Sequence, residues 1–118
     1  MGEELSTMRT ALRKRLDEAE VLLAVVMQLR KDLGEEDLPL PKVGPEAFET
    51  LRTGVLDLLA AWQGSGSAAL SRAINRVDLT EAMVTTAMDR GGLAELAGMM
   101  VLRCLQKVLI RERFAGRG

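Results

Sequence analysis

LSTMRTALRKRLDEAEVLLAVVMQLRKDL, residues 5–33, is the stretch that decides the fold class. Leu5, Met8, Leu12, Arg15, Ala19, Leu22, Val26, Leu29 and Leu33 follow one another at alternating steps of three and four residues. That spacing gathers them on one face of a helix, as in coiled coils and helical bundles. Only Arg15 interrupts the apolar seam. The pattern predicts one long helix, capped at its start by Ser6 or Thr7 and closed by Gly34 in a left-handed conformation. Its halves differ. Around Arg9–Glu20 the outer faces are charged, whereas across Val21–Leu29 only Gln28 is polar, so that half is expected to be covered on most sides.

Outward from this helix the same grammar recurs. Residues 34–44 form a linker rich in Pro, Gly and acidic residues; Pro39 and Pro41 forbid helix there. Gly44-Pro45 opens a second helix, with Pro at a first-turn position where its missing N–H costs nothing. Phe48, Leu51, Val55, Leu58 and Trp62 repeat the three-four seam, and Gly64–Ser67 ends it. A third helix follows from Ser67 or Ala68, with Leu70, Ile74 and Val77 on one face. Asp78 and Glu81 have capping-box spacing, so a new helix begins near Leu79 or the third one kinks there. Gly91-Gly92 closes that segment. The last helix, Leu93–Phe114, is the most apolar, and Ala94, Ala97 and Gly98 give a neighbour room to approach. Four or five helices with short connections predict an all-α fold, an antiparallel bundle forming a single domain over 1–118. No period of solenoid type is present.

Composition agrees. Of 118 residues 47% are hydrophobic and 28% charged, which is globular and not disordered. Aromatics are scarce, so Leu, Val, Ala and Met must build the core, and Leu, Ala and Met favour helix. The net charge of −1 does not mark the whole chain as a polyanion binder. The charge is uneven, however: residues 101–118 carry five basic groups and one acid. The one cysteine, Cys104, excludes an internal disulfide and reads as a buried thiol, which favours the cytoplasm. No charged-then-apolar leader opens the sequence, and Val21–Met27 and Leu93–Ile110 are too short or too charge-interrupted to span a bilayer.

Histidine is absent, which removes His-based acid–base catalysis, His-activated nucleophiles and His metal ligands. One cysteine cannot build a thiolate metal site, and no Gly-rich loop follows a strand. Glu35-Glu36-Asp37 reads as a solvated charge run. No catalytic, cofactor or metal site is expected, so the sequence reads as non-enzymatic.

Two short stretches resemble known families. Leu12–Lys31 is similar to the opening helix of the all-helical chorismate mutases, in which two arginines about five turns apart hold a dicarboxylate; Arg13 and Arg30 stand at that spacing. The family's helix continues where this one stops at Gly34, and its downstream basic–acidic pair and Gln lack counterparts. Ala60–Ser67, with Trp62 and Gly64, resembles the helix-turn-helix corner of the small secreted Trp-x-Gly proteins. There the family's first helix is unbroken, whereas Pro39 and Pro41 interrupt this chain, and its Tyr-containing export signal is impossible without Tyr. Neither resemblance is adopted.

The basic stripes carry more. Arg103, Lys107 and Arg111 step by four along one helix face, about 6 Å apart. Arg113 and Arg117 extend the row, and Arg72 and Arg76 form a second one. Such rows could track a phosphate backbone; with no aromatics interleaved, base stacking is not expected. The alternative is a solvated outer face. Surplus apolar surface, represented by Val21, Val25, Met99 and Val101, predicts a protein interface. The expected function is therefore a helical interaction module, a small subunit of an assembly or a homo-oligomer. The alternative is a nucleoprotein subunit, by class analogy with the small helical subunits of CRISPR effectors; a weaker alternative is a secreted helical hairpin of the Trp-x-Gly type.

Overall fold

The computed structural model describes residues 9–66 and 68–115, and all its regular structure there is helical. Five α-helices follow in order: α1 Ala19–Leu33, α2 Ala47–Ser65, α3 Ala69–Val77, α4 Glu81–Gly91 and α5 Leu93–Ala115. Residues 9–14 are also helical, and a 3-10 turn, Arg15–Asp17, separates them from α1. The fold is an all-α bundle. The expected cap at Ser6 or Thr7 lies outside the described residues, as does Arg117.

The predicted single first helix is broken. Glu18 leaves the helical region, with φ −93° and ψ 120°. A continuous helix would hold Arg15 in the apolar seam. The break instead buries Leu16, only 1% exposed, and leaves Arg15 at the surface, paired with Glu18 and, at 3.3 Å, with Glu112. Gly34 does end α1 in the left-handed region, φ 66° and ψ 33°. Its N–H donates to the Lys31 carbonyl at 3.3 Å and that of Glu35 to the Arg30 carbonyl at 2.9 Å, a Schellman closure.

The linker is less detached than its composition implies. Leu38 is 3% exposed, and the Arg30 Nε donates to its carbonyl at 2.9 Å. Leu38 packs toward Gly54, where an added Cβ would meet its Cδ1 at 3.2 Å. α2 then starts at Ala47, two residues after Pro45. Its buried face is Phe48, Leu51, Val55 and Leu59. The expected Leu58 has shifted partly aside, because a straight helix drifts from a strict heptad, and Trp62 at the end is only half-buried.

Residues 69–91 hold two helices and not one kinked helix. Asp78 takes φ 70° after α3, and the N–H groups of Asp78 and Leu79 close the helix end on Asn75 and Ile74. Thr80, not Asp78, caps α4: its hydroxyl accepts from the Met83 N–H at 3.1 Å. α5 packs against α1, α2, α3 and α4 and forms the centre of the bundle. Gly98 lets α2 approach, since a Cβ there would lie 3.3 Å from Arg52 Cδ and 3.6 Å from Phe48 Cζ. α1 crosses α5: Arg15, just before α1, meets Glu112, and Asp32 near its end meets Lys107. Among the described residues no helix is long and apolar enough to cross a membrane.

Candidate functional site

The cations expected in one row on α5 have different fates. Lys107 turns inward. Its ammonium donates to Asp32 Oδ2 at 3.0 Å and to the Arg76 carbonyl at 2.8 Å. Asp32 is buried, with 7% of its side chain exposed. Gln28, one turn earlier on α1, donates to Asp32 Oδ1 at 3.0 Å, and the Cys104 thiol lies 3.6 Å from Oδ2. Burying an ion pair is favourable only when such extra donors satisfy the remaining lone pairs, and here they do. Burial first, and then the Asp32 charge, push the Cys104 thiol up to about 12. It is a protonated, buried thiol and not a nucleophile at neutral pH. Arg103 pairs with Asp78 at 3.0 Å. Only Arg111 and Arg113 of the row remain exposed without an ion pair to a described residue.

Around this buried knot lie two openings. The first, about 310 Å³, is a groove between α1 and α5 lined by Gln28, Lys31, Arg103, Lys107, Ile110 and Arg111. Met27 lies one turn before Lys31 and Phe114 one turn beyond Ile110. Both are well exposed, Met27 at 58% and Phe114 at 65%, and Leu23 and Ile110 are about half so. The second opening, about 240 Å³, lies between the C-terminal ends of α1 and α2 and the flank of α3; Trp62, Arg72, Arg76, Asp32 and Glu35 contribute to its wall. Arg72 and Arg76 are exposed, as expected, and their guanidinium groups have no hydrogen-bond or ion-pair partner among the described residues.

A third cavity, also about 240 Å³, gathers Arg9, Arg13 and Arg52 against α2 and α5. Its arginines are matched internally: Arg9 with Glu95 at 3.1 Å, and Arg13 and Arg52 with Glu49 at 3.0 and 2.7 Å. Arg13 also stacks over Phe48 at 4.0 Å, a cation–π contact. Arg13 and Arg30 line separate cavities, so the two-arginine clamp implied by the chorismate mutase resemblance is not assembled. Trp62 and Gly64 both lie inside α2, and the corner is made by Gly66, φ 68°.

The expected interface residues need correction. Val21, Val25 and Val101 are 4%, 0% and 0% exposed; they belong to the chain's own core and present no surface. Met99 is half-buried against that core. Apolar runs on α1 and α5 are covered because α5 is central, which periodicity on one helix does not reveal. Among the large apolar residues that do remain outside are Met27 and Ile110, at the ends of the apolar runs 21–27 and 93–110, and Phe114. Among the described residues no three ligating side chains group as a metal site. No family model matches this chain, and no curated protein or solved structure matches it.

Proposed function

We propose that the chain is a helical interaction module without catalytic activity, whose contact surface is the α1–α5 groove. One observation carries this reading: Met27, Ile110 and Phe114, each at least 50% exposed, extend the lines of a groove bearing Lys31 and Arg111. Apolar side chains held in water beside unpaired cations suit a partner that brings apolar and carboxylate groups together, as an acidic amphipathic helix does. Such a partner would bury the apolar groups and meet the cations at the rim, where charge sets orientation and encounter rate. Phosphate tracking along α5 has less support, because Arg103 and Lys107 are engaged by Asp78 and Asp32.

The test is binding of a fluorescently labelled amphipathic helix with leucines on one face and glutamates at its borders. The same peptide with lysines in place of glutamates serves as control. The acidic peptide should bind, and Met27→Ser with Lys31→Glu should weaken it by roughly tenfold or more. Equal binding of both peptides, or none, overturns the reading. Salt-sensitive binding of labelled nucleic acid in its place would favour the nucleoprotein alternative.

A further inference from the structure

The opening between α1, α2 and α3 has a composition that the groove lacks. Arg72 and Arg76 stand one turn apart on α3, both exposed and both without an ion-pair partner among the described residues. Like charges at this spacing repel, so the pair is eased by an anion. Trp62 reaches the same cavity from the end of α2, packed against the core but still partly exposed. Ala69 and Ala73 keep the α3 wall low between them. Glu35 is among the residues lining the cavity and forms no ion pair with either arginine; a carboxylate there accepts hydrogen bonds. Asp32 at the back is already satisfied by Gln28 and Lys107.

We propose that this cavity binds a nucleotide, its base against Trp62, its phosphate on Arg72 and Arg76, and a ribose hydroxyl or amino donor on Glu35. An arginine pair supplies donors for phosphate oxygens, and an indole face or edge offers a base a stacking surface. The opening, about 240 Å³, is below drug-sized pockets, so a single nucleotide would seat there only in part, leaving the rest of it in solvent, and a duplex has no room. The site is separate from the groove proposed as the protein contact and does not depend on it. A free mononucleotide and the terminal nucleotide of a strand share this chemistry.

Trp62 is the only tryptophan, and the chain has no tyrosine, so indole fluorescence reports this cavity alone. Adenosine monophosphate, adenosine, inorganic phosphate and a short 5′-phosphorylated oligonucleotide are titrated against the full chain. The monophosphate should change Trp62 emission saturably, with adenosine and phosphate each at least about tenfold weaker. Arg72→Gln with Arg76→Gln should lose most of that affinity while the melting temperature stays unchanged, since both side chains are exposed. Tighter binding of the oligonucleotide than of the monophosphate assigns the site to a strand end, and the reverse order to a free nucleotide; either supports the proposal. It is overturned by no saturable change up to about 10 mM monophosphate, by an unaltered response in the double variant, or by phosphate binding as well as the monophosphate does.

Discussion

Asp32 shows most clearly what a single residue decides in this protein. Its carboxylate is buried and held by Lys107, Gln28 and the Cys104 thiol. Lys107→Ala removes the neutralising charge and leaves the carboxylate buried, so it should cost about 3–5 kcal/mol in urea denaturation. Adding Asp32→Asn should cost less than the sum of the two single changes, because the unpaired charge is gone. The thiol makes a second prediction. With Cys104 raised from 9.0 to about 12, the unfolded chain loses its proton first as pH rises. Stability contributed by the protonated thiol is therefore complete below pH 9.0 and falls between there and about 12. Cys104→Ala should flatten that part of the stability profile, and native Cys104 should resist thiol reagents at pH 8 until the chain unfolds. A buried, reduced cysteine was legible from its apolar neighbours. Its carboxylate partner was not, since 72 residues separate them.

At the scale of the helices, stop signals were easier to read than start signals. Gly34 closes α1 because its left-handed φ of 66° suits a residue without a Cβ. Nothing lies within 4 Å of a Cβ added there, so Gly34→Ala should cost about 1 kcal/mol from backbone strain alone. Thr80→Ala removes the hydroxyl that accepts from the Met83 N–H and should also cost about 1 kcal/mol; thermal melts followed by circular dichroism measure both. Capping-box spacing pointed two residues too early, to Asp78. That residue instead terminates α3 and pairs with Arg103. The unbroken first helix was the larger error. Local periodicity ran through Arg15, but Leu16 joins the common core and packs toward α2, and Arg15 pairs with Glu112 of α5, far along the chain.

For the molecule as a whole, the position of α5 decides which groups reach water. Lys107 and Arg111 look equivalent on a helical net, one turn apart, and their charge reversals should separate them. Lys107→Glu would set a second carboxylate against buried Asp32 and should lower the melting temperature severely, by more than about 3 kcal/mol of stability. Arg111→Glu, at an exposed site, should stay within about 0.5 kcal/mol of the parent. Equal effects from the two would contradict the inward placement of Lys107.

The sequence by itself determined that the chain is helical, where most helices stop, and that Leu, Val and Ala carry most of the core, with Met100 the one fully buried methionine among the described residues. These follow from spacing and glycine, which act over one or two turns. Tertiary structure decided which apolar runs are internal, moving Val21, Val25 and Val101 into the core while leaving Met27, Ile110 and Phe114 outside. It also decided which cations are engaged, and it set Trp62 beside Arg72 and Arg76, although no aromatic is interleaved with those arginines along the chain. The physical reason is the same in each case. Burial and pairing belong to the faces that helices present to one another, and a central helix such as α5 has a neighbour on nearly every face.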